Sequence, residues 1–158
     1  MQRNFLKISS IHLSKTQTVN KKAKGKTNMV RFIRNKKAKG TAAENELIHQ
    51  FWEHHWCCVR VAGSGSTKYP APDLLAGNTA RKIVMEVKVV NATKKYFTNQ
   101  EIKDLEYFGS HFGAEAWVGI KFAENQWFFC PSTELESTKS ENYVIDIITM
   151  KRKGFLLQ

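Results

Sequence analysis

The chain has 158 residues, about the size of one ordinary domain, so a single hydrophobic core with one functional site is the expectation. Its longest apolar runs, such as IVM and VIDII, are far too short to span a bilayer, and its three cysteines lack CxxC spacing. Both features argue for a soluble protein of a reducing, intracellular compartment and against a disulfide framework. The formal net charge is +11, but residues 1–40 contain twelve Lys or Arg and no acid, whereas residues 41–158 hold thirteen basic against fourteen acidic side chains, a net of −1. This layout is a nearly neutral folded part behind a polyanion-seeking arm, which argues against a uniformly basic coat protein.

Residues 1–35 show no sustained apolar period and are dominated by Lys, Thr, Ser and Asn, a composition that predicts a disordered arm. Two other readings stand beside this one. A targeting presequence would suit a basic, acid-free stretch, but Lys outnumbers Arg and no amphipathic helix is evident. An upstream start is better supported, since Met29 opens MVRFIRNKKAKGTAAENEL, a natural N-terminus for the folded domain.

The first firm helix is expected at Thr41, where TAAE reads as a capping box with Thr41 as N-cap and Glu44 at N3. Its apolar face is Ala43, Leu47, Ile48, Phe51 and His55, at steps of three and four. A strand is predicted at 57–62, then a Gly-, Ser- and Pro-rich loop at 62–72. A short strand at 73–76, a turn at Gly77-Asn78 and a β-branched strand at 82–90 form a hairpin. TNQE at Thr98 to Glu101 opens a second helix with Ile102, Leu105, Phe108 and Phe112 on one side and Gly113 as its stop. Strands come next at 116–122 and 127–130, then a polar loop at 131–142, an alternating strand at 143–149 and a tail at 151–158. This order predicts an α/β sandwich, without internal repeats.

Chemistry concentrates at Pro72-Asp73, twelve residues of hairpin, and Glu86-Val87-Lys88. Side chains two apart on a strand share a face, so Glu86 and Lys88 point one way while Met85, Val87 and Val89 point into the core. The hairpin would bring Asp73 beside Glu86, so two carboxylates and an ammonium converge. Such oxygen donors suit Mg²⁺, with Mn²⁺ as a substitute, and phosphodiester hydrolysis needs an activated water and neutralised charge. Asp73 and Glu86 would hold the metal, and Lys88 would orient or help deprotonate the water. Taken singly, Pro-Asp is usually a turn and ExK a solvated strand face.

Beyond the motif, KGTAAENELI (39–48), VRVAGSGSTKYPAPDLLAG (59–77), KIVMEVKVV (82–90) and YFGSHFGAEAWVGIKF with WFF (107–129) resemble the archaeal Holliday-junction resolvases of the PD-(D/E)xK nuclease superfamily. The resemblance implies a restriction-endonuclease-like α/β core, a central mixed β-sheet flanked by helices, as a nuclease domain over 36–150. It implies a homodimer that makes paired nicks in four-way DNA, with no membrane and no small-molecule cofactor. It makes Asp73, Glu86 and Lys88 catalytic, adds Glu44 as a further active-site acid and metal ligand, and adds Ser64 as a catalytic or phosphate-contacting hydroxyl. Lys36, Lys37, Lys39, Arg60 and Lys68 are the expected DNA-contacting cations. Asn45, where many relatives carry Arg, removes one phosphate contact from the pattern.

As N3 of a capping box, Glu44 also has a sufficient structural explanation. HHWCC (54–58) packs four zinc-type ligands into five residues, yet neighbours on a strand diverge and close a tetrahedron poorly. The four tryptophans, Phe108 and Phe112 read first as core or dimer residues. Two other functions remain open: a different nuclease of this fold acting on branched or duplex DNA, and a catalytically silent DNA-binding protein.

Overall fold

The β-branched middle of the chain assembles into a mixed sheet in the computed structural model, which describes residues 28–64, 67–122 and 126–153. In order, the elements are α1 (Asn28–Glu53), β1 (Cys57–Arg60), β2 (Leu74–Gly77), β3 (Lys82–Val89), β4 (Lys94–Phe97), α2 (Asn99–Phe112), β5 (Glu115–Lys121) and β6 (Trp127–Pro131). A 3-10 turn at Ser132–Glu134, β7 (Glu136–Ser137), β8 (Tyr143–Asp146) and α3 (Ile147–Lys153) complete it. Five strands lie in the order β1-β2-β3-β5-β6, and β4-β8-β7 form a second, smaller sheet. Within the larger sheet β3 and β5 are parallel and the other pairs antiparallel. This is the mixed α/β core, a central sheet flanked by helices, that the sequence led us to expect.

Strand periodicity divides the core in two. Ile83, Met85 and Val87 of β3 join Ala43, Leu47 and Phe51 of α1 in one cluster, while Val84 joins Ile102 and Leu105 of α2 in the other. Both faces of β3 are therefore covered, as a parallel-paired central strand requires. Val89, expected in the core, is exposed at the strand end. Gly119 on β5 is fitted to this packing, because a Cβ there would lie 2.8 Å from the sulfur of buried Met85.

Several boundaries differ from expectation for identifiable reasons. Helix α1 starts at Asn28 and runs through Gly40, so Thr41 is an interior helical residue, not an N-cap, and residues 28–35 belong to the helix rather than to an arm. Gly costs a helix interior only about 1 kcal/mol relative to Ala, and the surrounding Met, Arg, Lys and Ala favour continuation. His55 lies beyond the helix with φ 61°, in the turn where the Trp56 N–H reaches the Phe51 carbonyl at 2.9 Å, and is exposed.

Strand β4 is not evident from sequence; its KKYF segment gains order by pairing with β8. The expected strand at 143–149 stops at Asp146, whose carboxylate accepts the Thr149 N–H at 2.8 Å and opens α3. The second capping box is as expected. Thr98 caps α2 with Glu101 reciprocating, and Gly113 ends it with φ 69°. Trp56, Trp117 and Trp127 are buried, whereas Trp52 is exposed and donates its indole N–H to the Cys58 carbonyl. Phe108 is partly buried and Phe112 exposed. The expected arm before residue 28 and most of the tail, 154–158, lie outside the described residues.

Candidate active site

Pro72 has no N–H to give to a strand ladder. Just past it, the Asp73 carboxylate takes over the pairing with β3. One oxygen accepts the Val87 N–H at 2.9 Å and the other accepts the Ser64 hydroxyl at 2.8 Å, while the Asp73 N–H reaches the Met85 carbonyl at 3.0 Å. With the Val61 N–H, which reaches the Asp73 carbonyl at 2.9 Å, four hydrogen bonds fix Asp73 at the mouth of the β2–β3 hairpin. Glu86 and Lys88 lie on the face of β3 that α2 covers, and their side chains meet at 2.5 Å. Lys88 also has Glu101 of α2 at 3.8 Å. A cleft of about 410 Å³ opens here, its lining including Ser64, Lys68, Tyr69, Glu86, Glu101 and Asp104.

The electrostatics arise from this crowding. Burial raises the Glu86 carboxyl above its ordinary value, and the negative charge of Asp73 pushes it the same way against the pull of Lys88. Burial works against the Lys88 ammonium, but Glu86, Asp73 and Glu101 outweigh it and raise that group. Two close carboxylates that repel each other are a donor set fitted to a hard divalent cation. Mg²⁺ commonly takes one or two carboxylates and fills its remaining positions with water or phosphate. Asp73 and Glu86 fit that description.

Glu44 is placed differently. It pairs with Arg60 of β1 at 3.1 Å, and the expected gathering of Asp73, Glu86 and Glu44 about one metal is not formed. Among the described residues, no three His, Cys, Asp or Glu side chains form a cluster that would hold a metal ion. The same holds for HHWCC: His54 bonds back to the Gln50 carbonyl, Cys57 is exposed and Cys58 is buried. Burial pushes the Cys58 thiol up to about 12, the mark of a core residue rather than a reactive thiolate.

A family model for the archaeal Holliday junction resolvase (Hjc) matches residues 35–156. The chain belongs to this family. Among curated relatives, the crossover junction endodeoxyribonuclease Hjc of Archaeoglobus fulgidus is 38% identical over 110 residues, covering 70% of this chain and 80% of the relative. The enzyme of the same name from Methanocaldococcus jannaschii is 33% identical over 114 residues, 72% of this chain and 80% of that one. The structure of Archaeoglobus fulgidus Hjc, described as a Holliday junction resolvase from an archaeal hyperthermophile, superposes with a TM-score of 0.66 at 34% identity. It covers 72% of this chain and 93% of that one.

In this resolvase-family chain, Ser64, Asp73, Glu86 and Lys88 come together, while Glu44 and Arg60 form a separate ion pair. Lys68 lines the cleft, its ammonium 5.9 Å from the Tyr69 ring centre, and Lys39 is exposed on α1. Lys36 and Lys37 fall within α1, but their side chains lie outside the described residues. Sequence reasoning missed Glu101. Its place in TNQE is fully accounted for as a cap, and only the docking of α2 on β3 brings it to Lys88.

Proposed function

We propose that this chain resolves four-way DNA junctions as a divalent-metal-dependent endonuclease, working as a homodimer that nicks paired strands in recombination and repair inside the cell. The convergence of Asp73, Glu86 and Lys88 at one hairpin mouth carries this reading, in a chain whose relatives are named crossover junction endodeoxyribonucleases.

Asp73 and Glu86 would hold Mg²⁺, or Mn²⁺ in its place, and the ion when bound would supply a more acidic water and neutralise charge on the phosphate. The water oxygen would attack phosphorus as it gives up a proton to solvent, and one bridging P–O bond would break, the freed oxygen taking a proton from solvent to leave as a hydroxyl. Ser64 and the Val87 N–H hold the Asp73 carboxylate still, leaving its remaining lone pairs for the cleft. Lys88, kept charged by its acidic neighbours, suits orienting the water and stabilising the phosphate better than accepting a proton. Lys36, Lys37, Lys39, Arg60 and Lys68 contact phosphates, with Glu44 holding Arg60 in place and acting as an active-site acid only when that pair opens.

Incubating the protein with a synthetic four-way junction and matched linear duplex, with Mg²⁺ or EDTA, tests this. Metal-dependent, symmetric nicks confined to the junction are expected. Binding without cutting selects a silent DNA-binding protein, and cutting of linear DNA selects a different nuclease of this fold.

A further inference from the structure

The two oxygens of the Glu101 carboxylate have different surroundings. Oε2 accepts the Thr98 N–H at 2.8 Å and the Thr98 hydroxyl at 3.0 Å, the reciprocal half of the box that starts α2. Oε1 lies 3.8 Å from the Lys88 ammonium. A capping residue needs only the first set, and a solvated N3 glutamate would turn its free oxygen to water. Here α2 packs on β3, with Ile102 and Leu105 buried beside Val84, so the first turn of the helix is held over the strand that carries Glu86 and Lys88. Glu101 and Glu86 both line the cleft, and both carboxylates lie within ion-pair distance of the Lys88 ammonium.

From this geometry we infer that Glu101 is a positioning residue for the nuclease reaction: the cap immobilises its carboxylate, and the free oxygen holds Lys88 in the cleft when Glu86 turns to other partners. The inference rests on the function proposed above. In the arrangement described, Glu86 is the nearer partner of Lys88, yet Glu86 is also a metal donor. As Glu86 gives its oxygens to a cation, Lys88 loses its closest contact and, without a second anchor, is free to leave the site of attack. Glu101 supplies that anchor from a different element, so the loss of one partner does not release the lysine. Its effect is on the position of Lys88, and it touches neither the metal nor the phosphate.

Glu101→Gln separates anchoring from capping, because the amide oxygen still accepts from Thr98 while the charge facing Lys88 is gone. Glu101→Ala removes both. We expect Gln and Ala variants to slow single-turnover cleavage of a four-way junction at saturating enzyme alike, by roughly tenfold, as for other residues that orient a reacting group. Junction affinity in EDTA should be unchanged in both, and only the Ala variant should lose melting temperature. The side-chain NMR signal of Lys88 in lysine-labelled full-length protein, assigned by its absence in Lys88→Arg, should shift in Glu101→Gln without any DNA present. Wild-type rate in Glu101→Gln, a Gln variant as unstable as the Ala variant, or an unmoved Lys88 signal would each overturn the inference. A wild-type protein that leaves the junction whole overturns the proposed function, and this inference with it; a cutting wild type beside an equally fast Gln variant overturns this inference alone.

Discussion

Asp73 and Glu86 differ in how firmly each is held. Asp73 is fixed by a backbone N–H and a hydroxyl, whereas Glu86 is held by a flexible ammonium. Asp73→Asn, Glu86→Gln and Lys88→Ala should each reduce single-turnover junction cleavage at least about 100-fold, the scale of a lost electrostatic or acid–base contribution. Junction affinity in EDTA should stay within a few-fold, because it comes mainly from phosphate contacts elsewhere. Near-normal cutting by any one of them would remove that residue from the reaction. Glu44 calls for a different test, because α1 passes through Thr41. An exposed ion pair is worth about 0–1 kcal/mol, so Glu44→Gln should barely move the melting temperature. A large loss of cleavage in that variant would show that Glu44 serves the reaction, and full activity would leave it as the partner of Arg60. The period of a strand puts Glu86 and Lys88 on one face, since they stand two residues apart, and the hairpin with its turn at Gly77-Asn78 brings Asp73 to them. Glu44 reads wrongly as a cap because TAAE has the pattern of a helix start without being one. Glu101 escapes for the opposite reason: TNQE is a true start, and the local explanation hides the long-range contact with Lys88.

Helix α2 covers the face of β3 that bears Glu86 and Lys88 and carries Glu101 to within 3.8 Å of Lys88. Its ends are readable from sequence, since Thr98, Glu101 and Gly113 are chemical signals that act within four residues. Gly113 holds φ 69° with open space where a Cβ would stand, so only backbone conformation opposes a side chain there. Gly113→Ala should cost about 1 kcal/mol, with Gly113→Asn costing less, measured by denaturant midpoint at constant m. An Ala variant as stable as the parent would show that the left-handed cap carries no strain. Strand β4 and helix α3 are not readable in the same way. KKYF is too polar and short to announce a strand, and it becomes one only by pairing with β8, some fifty residues further along. Asp146 does announce a helix start, but the alternation of Tyr143 to Thr149 masks it.

At the scale of the whole molecule, the excess of positive charge is concentrated in the N-terminal residues. Residues 1–28 contain seven Lys or Arg and no acid. If half of them contact phosphate, a protein starting at Met29 should show a slope of log affinity against log salt shallower by about 3 on duplex DNA, with unchanged nick positions. Superimposable slopes for the two proteins would show that these residues do not engage DNA, and moved nicks would show that they also position it. The second sheet has another kind of consequence. Its β8 strand pairs with β4, the Ile147 N–H reaches the Thr93 carbonyl at 2.9 Å, and the Asn142 side chain accepts the Asn99 N–H at 3.3 Å. The segment from β4 into α2 is thus fastened by residues that follow the whole larger sheet in sequence. As the chain leaves the ribosome, β1 to β6 emerge with every strand of the larger sheet, but β4 stays unpaired and Asn99 unbonded until residues 142–147 appear. The five strands that place Asp73, Glu86 and Lys88 pair with one another without residues 142–147, whereas the crossover that carries Glu101 is tied down only when those residues join it.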